Sequence, residues 1–348
     1  MLSLESLSHN SYRGLKDNKT AFSDVNHIIG KNGSGKTSLI EAVVLLLTGR
    51  SFQGARLSDL TNKDGTSFAI SGNVNRGVTH RDKLLLNYKN GTKAHTLNGK
   101  RLGQQYAHTS FPLCLIDNNI IHLSSGKPNY RRDVLDRAVF HVEPEHARNH
   151  KKIKKCLLQR NKAITSGGGI RAVQSWDDSL AELGEKISRS RAKVVKETGL
   201  YIESVSKDLL GERLSIDYRK GWEEESYIES LKKNIRKDLV IKRTTSGPQK
   251  DDYRIMTNRK KTKHYYSHGQ EKLASLSFMI ALNLAIEKRK KEQSIIIIDE
   301  VESGLDNESR QRLVLTLKNL KNQLLITSLP DSKISNTING NILTVYQK

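Results

Sequence analysis

Residues 30–37 read Gly-Lys-Asn-Gly-Ser-Gly-Lys-Thr, between a short apolar run, Val25 to Ile29, and the mostly apolar stretch Ser38 to Leu47. A strand, a glycine-rich loop and a helix in that order form the setting of a phosphate-binding loop, and nothing else in the chain constrains its fold as tightly. Glycines at 30, 33 and 35 let the backbone close round a triphosphate with several N–H groups turned inward. Lys36 then reaches the β- and γ-phosphates and the Thr37 hydroxyl ligates magnesium; Lys31, Asn32, Ser34 and Ser38 belong to the same cradle. The cofactors expected are ATP and Mg2+.

A loop of this kind needs a parallel sheet behind it, and the C-terminal third supplies one. Ser294 to Ile298 carries four consecutive isoleucines and ends in Asp299-Glu300, which is how a central, fully buried strand ending at a ligand site reads. Asp299 is expected to hold magnesium through water beside Thr37, and Glu300 to polarise the water that attacks the γ-phosphate; Glu300 and Lys36 are the catalytic candidates. A helix near Glu308 to Leu320 and strands Gln323 to Thr327 and Ile342 to Tyr346 continue the alternation of strand and helix. Nearer the N-terminus, Ser67 to Val74 and Leu84 to Tyr88 have strand length, and Asn90-Gly91 and Asn98-Gly99 are hairpin-type turns. They predict an antiparallel lobe beside the nucleotide-binding sheet, with Met1 to Leu7 as an edge strand. Another apolar run, Phe111 to Ile116, delivers Asp117-Asn118-Asn119.

Between these parts the pattern turns helical, from Arg131 to Leu210, broken at Ser166-Gly167-Gly168-Gly169. Leu180, Leu183, Ile187, Val194, Leu200, Ile202, Val205 and Leu209 form one face of an antiparallel helix pair, interrupted by Arg191. The fold class expected is α/β: a phosphate-loop ATPase head of parallel sheet, helices and antiparallel lobe, built from 1–119 and 245–348. Residues 120–244 form an inserted helical arm, with Gly247-Pro248 at the return and a largely apolar helix, Leu273 to Ile286, after it.

Charge narrows the partner. The 348 residues hold 59 Lys+Arg against 37 Asp+Glu, a formal +22, which favours a polyanion through long-range attraction and counterion release. Arg148, Lys151, Lys152, Lys154 and Lys155, within the run to Lys162, and the segment Lys232 to Lys263 are the candidate DNA surface. Aromatic residues are only 5% of the chain, so contacts to the phosphate backbone fit better than a row of stacked bases. Trp176 and Trp222 read as packing residues. His141, His146 and His150 lack a further ligand at fixed spacing and read as solvated or DNA-facing rather than as a metal site. Two cysteines without a CxxC, and no apolar run of membrane-spanning length, suit a cytoplasmic protein with no membrane partner.

Two further motifs complete an order. Ser267-His268-Gly269-Gln270 stands at a helix start, and Ser303-Gly304-Leu305-Asp306 follows the acidic strand. Phosphate loop, inserted arm, Ser-x-Gly-Gln, acidic strand and Asp306 in sequence resemble the ATP-binding cassette heads of chromosome-maintenance and recombination proteins. More narrowly, the chain resembles the RecF family of bacterial recombination-repair ATPases over nearly its full length. Tyr12-Arg13, Gly126-Lys127-Pro128-x-x-Arg131-Arg132 to Asp136, Gln159-Arg160-Asn161, Gly221-Trp222-Glu223 and Gly247-Pro248-Gln249-Lys250-Asp251-Asp252 carry that resemblance. It implies that Arg13 and Asp306 belong to the nucleotide site, and that Ser267, Gly269 and Gln270 cap ATP held by a second chain. It also implies an ATP-dependent homodimer that binds single- and double-stranded DNA at gaps or junctions, hydrolyses ATP weakly, and helps RecA load with RecR and RecO. Two positions depart from the family pattern: Asn118-Asn119 replace a Pro-Glu pair, and Tyr266 replaces a leucine. As in RecF-like heads, Thr327-Ser328 fall where transporter ATPases carry a histidine, so a γ-phosphate contact from Thr327 there would be a weak hydroxyl. The alternative of a transporter's nucleotide-binding subunit sits poorly with the basic balance and the inserted arm. A chromosome tether would need far longer heptad arms, and a catalytically idle DNA-binding module would lack ATPase activity.

Overall fold

A computed structural model describes residues 2–62, 65–77, 80–103, 110–257, 260–262, 265–300, 303–330 and 339–345. Met1, Lys263 and Tyr346, ends of three expected segments, lie outside the described residues. The chain divides into two compact units, residues 1–120 with 287–348 and residues 121–286. The inserted unit therefore runs about 40 residues past the return expected at 245, and it takes in most of the helix that carries Ser267.

In the first unit, five strands form an all-parallel sheet in the order β14-β3-β13-β12-β8. They are β3 (Val25–Ile29), β8 (Leu113–Ile116), β12 (Ile295–Asp299), β13 (Gln323–Ser328) and β14 (Asn341–Thr344). Every residue of β12 and β13 is buried, as near-continuous apolar strands covered on both faces should be. A second, antiparallel sheet runs β2-β1-β4-β5-β6-β7, from β1 (Leu2–Asn10), β2 (Asn18–Ala21), β4 (Ser67–Arg76), β5 (His80–Lys89), β6 (Thr92–Leu97) and β7 (Lys100–Arg101). Both hairpin turns form as the Asn-Gly pairs dictate, with positive φ at Asn90, Gly91, Asn98 and Gly99. The N-terminal strand is not at an edge: β1 lies between β2 and β4, because Leu2, Leu4 and Leu7 each find an apolar surface.

Helix α1 (Lys36–Thr48) explains how the two sheets share a core. It buries nearly all of its residues, and its leucines and valines cluster with Leu4, Ile70 and Leu84 of one sheet and Ile295, Ile297 and Leu325 of the other. A helix apolar all round belongs between two surfaces. The buried side chain of Gln323 adds a polar link between the sheets: its Oε1 accepts from Leu4 N at 2.7 Å and its Nε2 donates to Leu4 O at 2.8 Å. That pairing satisfies Leu4 where the β1–β4 register shifts.

The second unit is not purely helical. Its helices are α2 (Pro128–Val142), α3 (Glu145–Thr165), α4 (Gly169–Gln174), α5 (Asp177–Leu210), α6 (Tyr227–Ile241) and the start of α7 (His268–Lys290). Beside them β9 (Leu214–Arg219), β10 (Asp252–Thr257) and β11 (Lys260–Lys261) form an antiparallel sheet in the order β11-β10-β9. The pair α3 and α5 is antiparallel: Arg160 meets Asp177 at one end, while His146 and Arg191 meet at Asp136 toward the other. The chain returns to the first unit at Glu287, within α7, and helix α8 (Asn307–Lys318) belongs to that unit. Among the described residues no helix is long and apolar enough to cross a membrane.

Candidate nucleotide site and basic arm

Four neighbouring strands of the parallel sheet end on one side. β3 ends at the phosphate loop, β13 at Thr327-Ser328, β12 at Asp299-Glu300, and β8 at Asp117. Ligands bind outside the C-terminal ends of such strands. The loop takes its shape from glycine: Gly33 and Gly35 have φ of 78° and 99°, and a Cβ at Gly30 would lie 2.2 Å from Ser34 Oγ. Lys31, Asn32 and Gly33 form the exposed tip, while Thr37 and Ser38 are half-buried in the first turn of α1, whose first N–H groups have no intrahelical acceptor.

Lys36 is 3% exposed, so its ammonium must be compensated. Its Nζ donates to Gly30 O at 2.9 Å and Lys31 O at 3.1 Å, and lies 3.0 Å from Glu300 Oε1. Three oxygens of the protein thus occupy the positive group that a phosphate would attract. Glu300 itself has a φ of 50°, a left-handed conformation costly for a glutamate and typical of functional sites.

Thr37 Oγ1 and Asp299 Oδ1 lie 3.5 Å apart, near neighbours able to flank one magnesium ion. Burial pushes the Asp299 carboxyl up; the Thr327 hydroxyl pulls it back, and the charges of Glu300 and Asp117 raise it further. Asp117 is the carboxylate that sequence reasoning left without a role. Its two oxygens accept from the backbone and side-chain amides of Asn119, which fixes it at the end of β8.

The Thr327 hydroxyl, read above as a weak γ-phosphate contact, is engaged elsewhere. It donates to Asp299 Oδ1 at 2.6 Å and accepts from Glu300 N at 2.9 Å, so it fastens both acids. Ser328 is the neighbour left over: it is 2% exposed, pairs in register with Ile29, and its Oγ has no partner among the described residues. Ser34 Oγ is likewise buried without a partner. Two unmet hydroxyls, a buried ammonium and a glycine cradle fit a polyphosphate, and the oxygens of Thr37 and Asp299 fit magnesium.

Arg13 and Asp306 are committed to local structure. The Arg13 guanidinium lies 2.5 Å from the fully buried Glu41 of α1 and donates to Gln53 at 3.1 Å. Asp306 caps α8, accepting from Ser309 N at 2.7 Å. In the second unit, Ser267 and Gln270 form a reciprocal capping box at the start of α7: Gln270 Oε1 accepts from Ser267 N at 3.0 Å and Ser267 Oγ accepts from Gln270 N at 3.4 Å. Gly269 sits inside that first turn, which makes this end an ordered helix N-terminus with anion affinity.

Arg148, Lys151, Lys152, Lys154 and Lys155 are all exposed on α3. Arg160, in the same basic run, is not part of that surface. It is fully buried, donating to Asp177 at 2.8 Å, Asp238 at 2.7 Å and Thr244 at 2.8 Å. The histidines also differ from expectation. His146 is 1% exposed and its Nε2 meets Asp136 at 2.9 Å, with His150 Nε2 at 3.2 Å from the same oxygen. Both Asp136 oxygens also accept from Arg191, at 2.7 and 2.8 Å. The three groups Asp136, His146 and His150 have the spacing of metal ligands, but the guanidinium already fills the carboxylate and repels a cation. Arg191, the break in the apolar stripe of α5, is the centre of this cluster and also holds Asp251 at 2.9 Å.

Comparison with known proteins agrees with this geometry. Residues 3–348 match the family model described as the RecF/RecN/SMC N terminal domain. A DNA replication and repair protein RecF of Aliivibrio fischeri is 31% identical over 317 residues, 90% of this chain and 88% of that protein. The Vibrio cholerae RecF is 30% identical over 329 residues, 92% and 91% of the two chains. A solved structure of the recombination mediator protein RecF with ATPrS, in the RecFOR pathway, superposes with a TM-score of 0.88 at 26% identity and covers 99% of this chain and 96% of that one. An Smc head bound to part of ScpA, at 16% identity and a TM-score of 0.60, covers 99% of this chain and 94% of its own and shares the fold.

Proposed function

This chain belongs to the RecF family, with the ATP-binding cassette type of head, and from that premise we propose a DNA-binding recombination-repair protein whose hold on DNA is timed by ATP. The observation that carries this reading is the Lys36–Glu300 pair at 3.0 Å. An ammonium held by its own base is a resting arrangement. Phosphate oxygens arriving in the loop compete for Lys36, and Glu300 is then free to orient and polarise a water. Thr37 and Asp299 would hold the magnesium, which would neutralise phosphate charge, and Thr327 keeps Asp299 aimed. The nucleotide supplies a phosphoanhydride whose cleavage is strongly favourable.

Ser267 caps its own helix within one chain, and the amide groups at that helix start suit a phosphate presented by a second chain. The composite site is therefore built by two copies, Lys36 from one and Ser267 from the other. ATP drives the pairing, and slow hydrolysis through Glu300 releases it. The exposed cations of α3 contact the backbone of gapped or junction DNA in the cytoplasm, and RecO and RecR, with RecA downstream, are the partners. Support for that assignment comes from relatives named for replication, repair and the RecFOR pathway.

Fluorescence anisotropy with gapped and fully duplex DNA, with and without ATP, tests the reading across a salt series. ATP should tighten binding, more on gapped DNA. Engagement of the five α3 cations should give a slope of roughly −4 to −5 in log affinity against log salt, at about −0.9 per neutralised phosphate. Binding indifferent to both ATP and salt would refute it.

A further inference from the structure

The second unit contains a pocket of about 680 Å3 that none of the preceding roles uses. Its walls come from the start of α2, the turn Pro248–Lys250, and strands β9 and β10, and Lys127, Arg132, Lys220, Arg243, Lys250 and Arg254 line it. The one carboxylate in the wall, Asp252, is already taken by Arg131, which donates to its two oxygens at 2.8 and 2.9 Å. Lys127, Arg243, Lys250 and Arg254 make no ion pair among the described residues. Lys127, Lys220, Arg243 and Lys250 are exposed and hydrated, while Arg132 and Arg254 are half-buried, so the converging positive field attracts an anion from solution.

The cavity is built rather than incidental. Arg191, anchored on Asp136, donates to Pro248 O at 2.6 Å, and Arg132 donates to Asp251 O at 2.7 Å. Gly221 and Gly247 pack so closely that a Cβ on Gly221 would lie 2.0 Å from Gly247 O. Gly247 itself has a φ of 125°, which only glycine adopts readily. Helix α2 begins in the wall, with Lys127 at its N-cap and Pro128 at its first position, so its positive end adds to the field.

Two observations set the ligand's size and kind. A cavity of this volume holds one nucleotide and excludes a duplex. Gln249, also in the wall, keeps a buried Oε1 that no donor meets, while its Nε2 donates to Ser246 O at 2.7 Å. A turn of this side chain toward the cavity would offer its oxygen to a sugar hydroxyl or base N–H beside a phosphate.

We propose that this pocket is a second nucleotide-phosphate site, separate from the phosphate loop, which takes a single nucleotide bearing a terminal phosphate. Two sources share that chemistry, the phosphorylated end of a DNA strand and a free nucleoside monophosphate. The test uses the full chain carrying Lys36→Ala, so that the loop does not contribute. Labelled short single strands with a 5′-phosphate or a 5′-hydroxyl are titrated, and AMP is then added as competitor. The phosphorylated strand should bind about 10- to 100-fold more tightly, as expected for charge-assisted contacts. Adding Lys250→Ala and Arg254→Ala should remove that difference without changing tryptophan emission. Displacement by AMP identifies the free nucleotide as an occupant; resistance to AMP identifies the strand end, and either result upholds the site. Equal binding of the two strands with no binding of AMP overturns it, as does unaltered discrimination in the double variant. ATP binding by a chain with Lys36 intact is measured in parallel, so failure here is distinguishable from failure at the loop.

Discussion

Replacing Arg191 with methionine tests the ion-pair cluster that organises the second unit. Arg191 is 3% exposed and holds two acids, Asp136 through two hydrogen bonds and Asp251 through one. Burial alone would raise the Asp136 carboxyl, yet Arg191, His146 and His150 hold it well below the usual carboxylate range. A carboxyl depressed in the folded state contributes stability above its unfolded value and loses it only as pH falls through the folded one. At neutral pH the whole contribution is present. Breaking a buried pair by removing one partner costs about 3–5 kcal/mol. Asp136 keeps its histidines, and Asp251 keeps Tyr218 at 2.7 Å and Gly221 N at 2.7 Å, so the low end, about 3 kcal/mol, is expected. With a urea dependence of about 1–3 kcal/mol per molar, the midpoint should fall by roughly 1–3 M. Both tryptophans, Trp176 and Trp222, belong to the second unit, so their fluorescence follows that unit's transition. Trp222 is a sensitive reporter because it is buried and stacks on Tyr227 at 4.8 Å. Combining Asp136→Asn with Arg191→Met should cost less than the two changes added together, since no uncompensated charge remains at Asp136. A loss under about 1 kcal/mol would match an exposed ion pair and refute the reasoning.

Two other expectations follow from the same kind of contact. Thr327→Val removes the donor to Asp299 and the acceptor of Glu300 N while keeping the shape; magnesium-dependent nucleotide binding should weaken by about 10- to 100-fold, and unchanged magnesium titrations would disprove the fastening role. Burial lowers the pKa of His146 despite the opposing pull of Asp136. The unfolded chain therefore takes up a proton near pH 6.5 that the folded one resists, and stability of the second unit should fall as pH drops below that value, by at most about 1.4 kcal/mol per unit for this group. His146→Gln should flatten that decline, and an equally steep profile would contradict it.

The geometry of the candidate nucleotide site is largely legible because its parts are local. A glycine-rich loop between strand and helix, and four isoleucines before two acids, declare their roles within a few residues. The hairpin turns were legible for the same reason: Asn-Gly tolerates positive φ. The second unit was not, because its organising contacts join residues far apart. Arg131 meets Asp252, 121 positions on, and Arg191 meets Asp136 and Asp251 at separations of 55 and 60. A buried arginine looks like a surface one until its acid is found, which is why the basic run to Lys162 reads as one exposed surface although Arg160 within it is buried. Strand β10 was hidden in a basic segment, although Tyr253, Ile255 and Thr257 alternate inward as a half-buried strand requires. Leu2 to Leu7 pointed to a strand but not to its two neighbours.

Light scattering of two variants, separately and mixed, tests the central claim most directly. Lys36→Ala removes one half of the composite site, and Ser267→Arg blocks the other. Each alone should remain a monomer with ATP and magnesium, while wild-type chains pair. An equal mixture should pair, because the Ser267→Arg chain contributes an intact Lys36 and its partner an intact Ser267, leaving one working site per dimer. Dimers formed normally by Ser267→Arg alone, or a mixture that stays monomeric, would contradict a nucleotide shared between two chains.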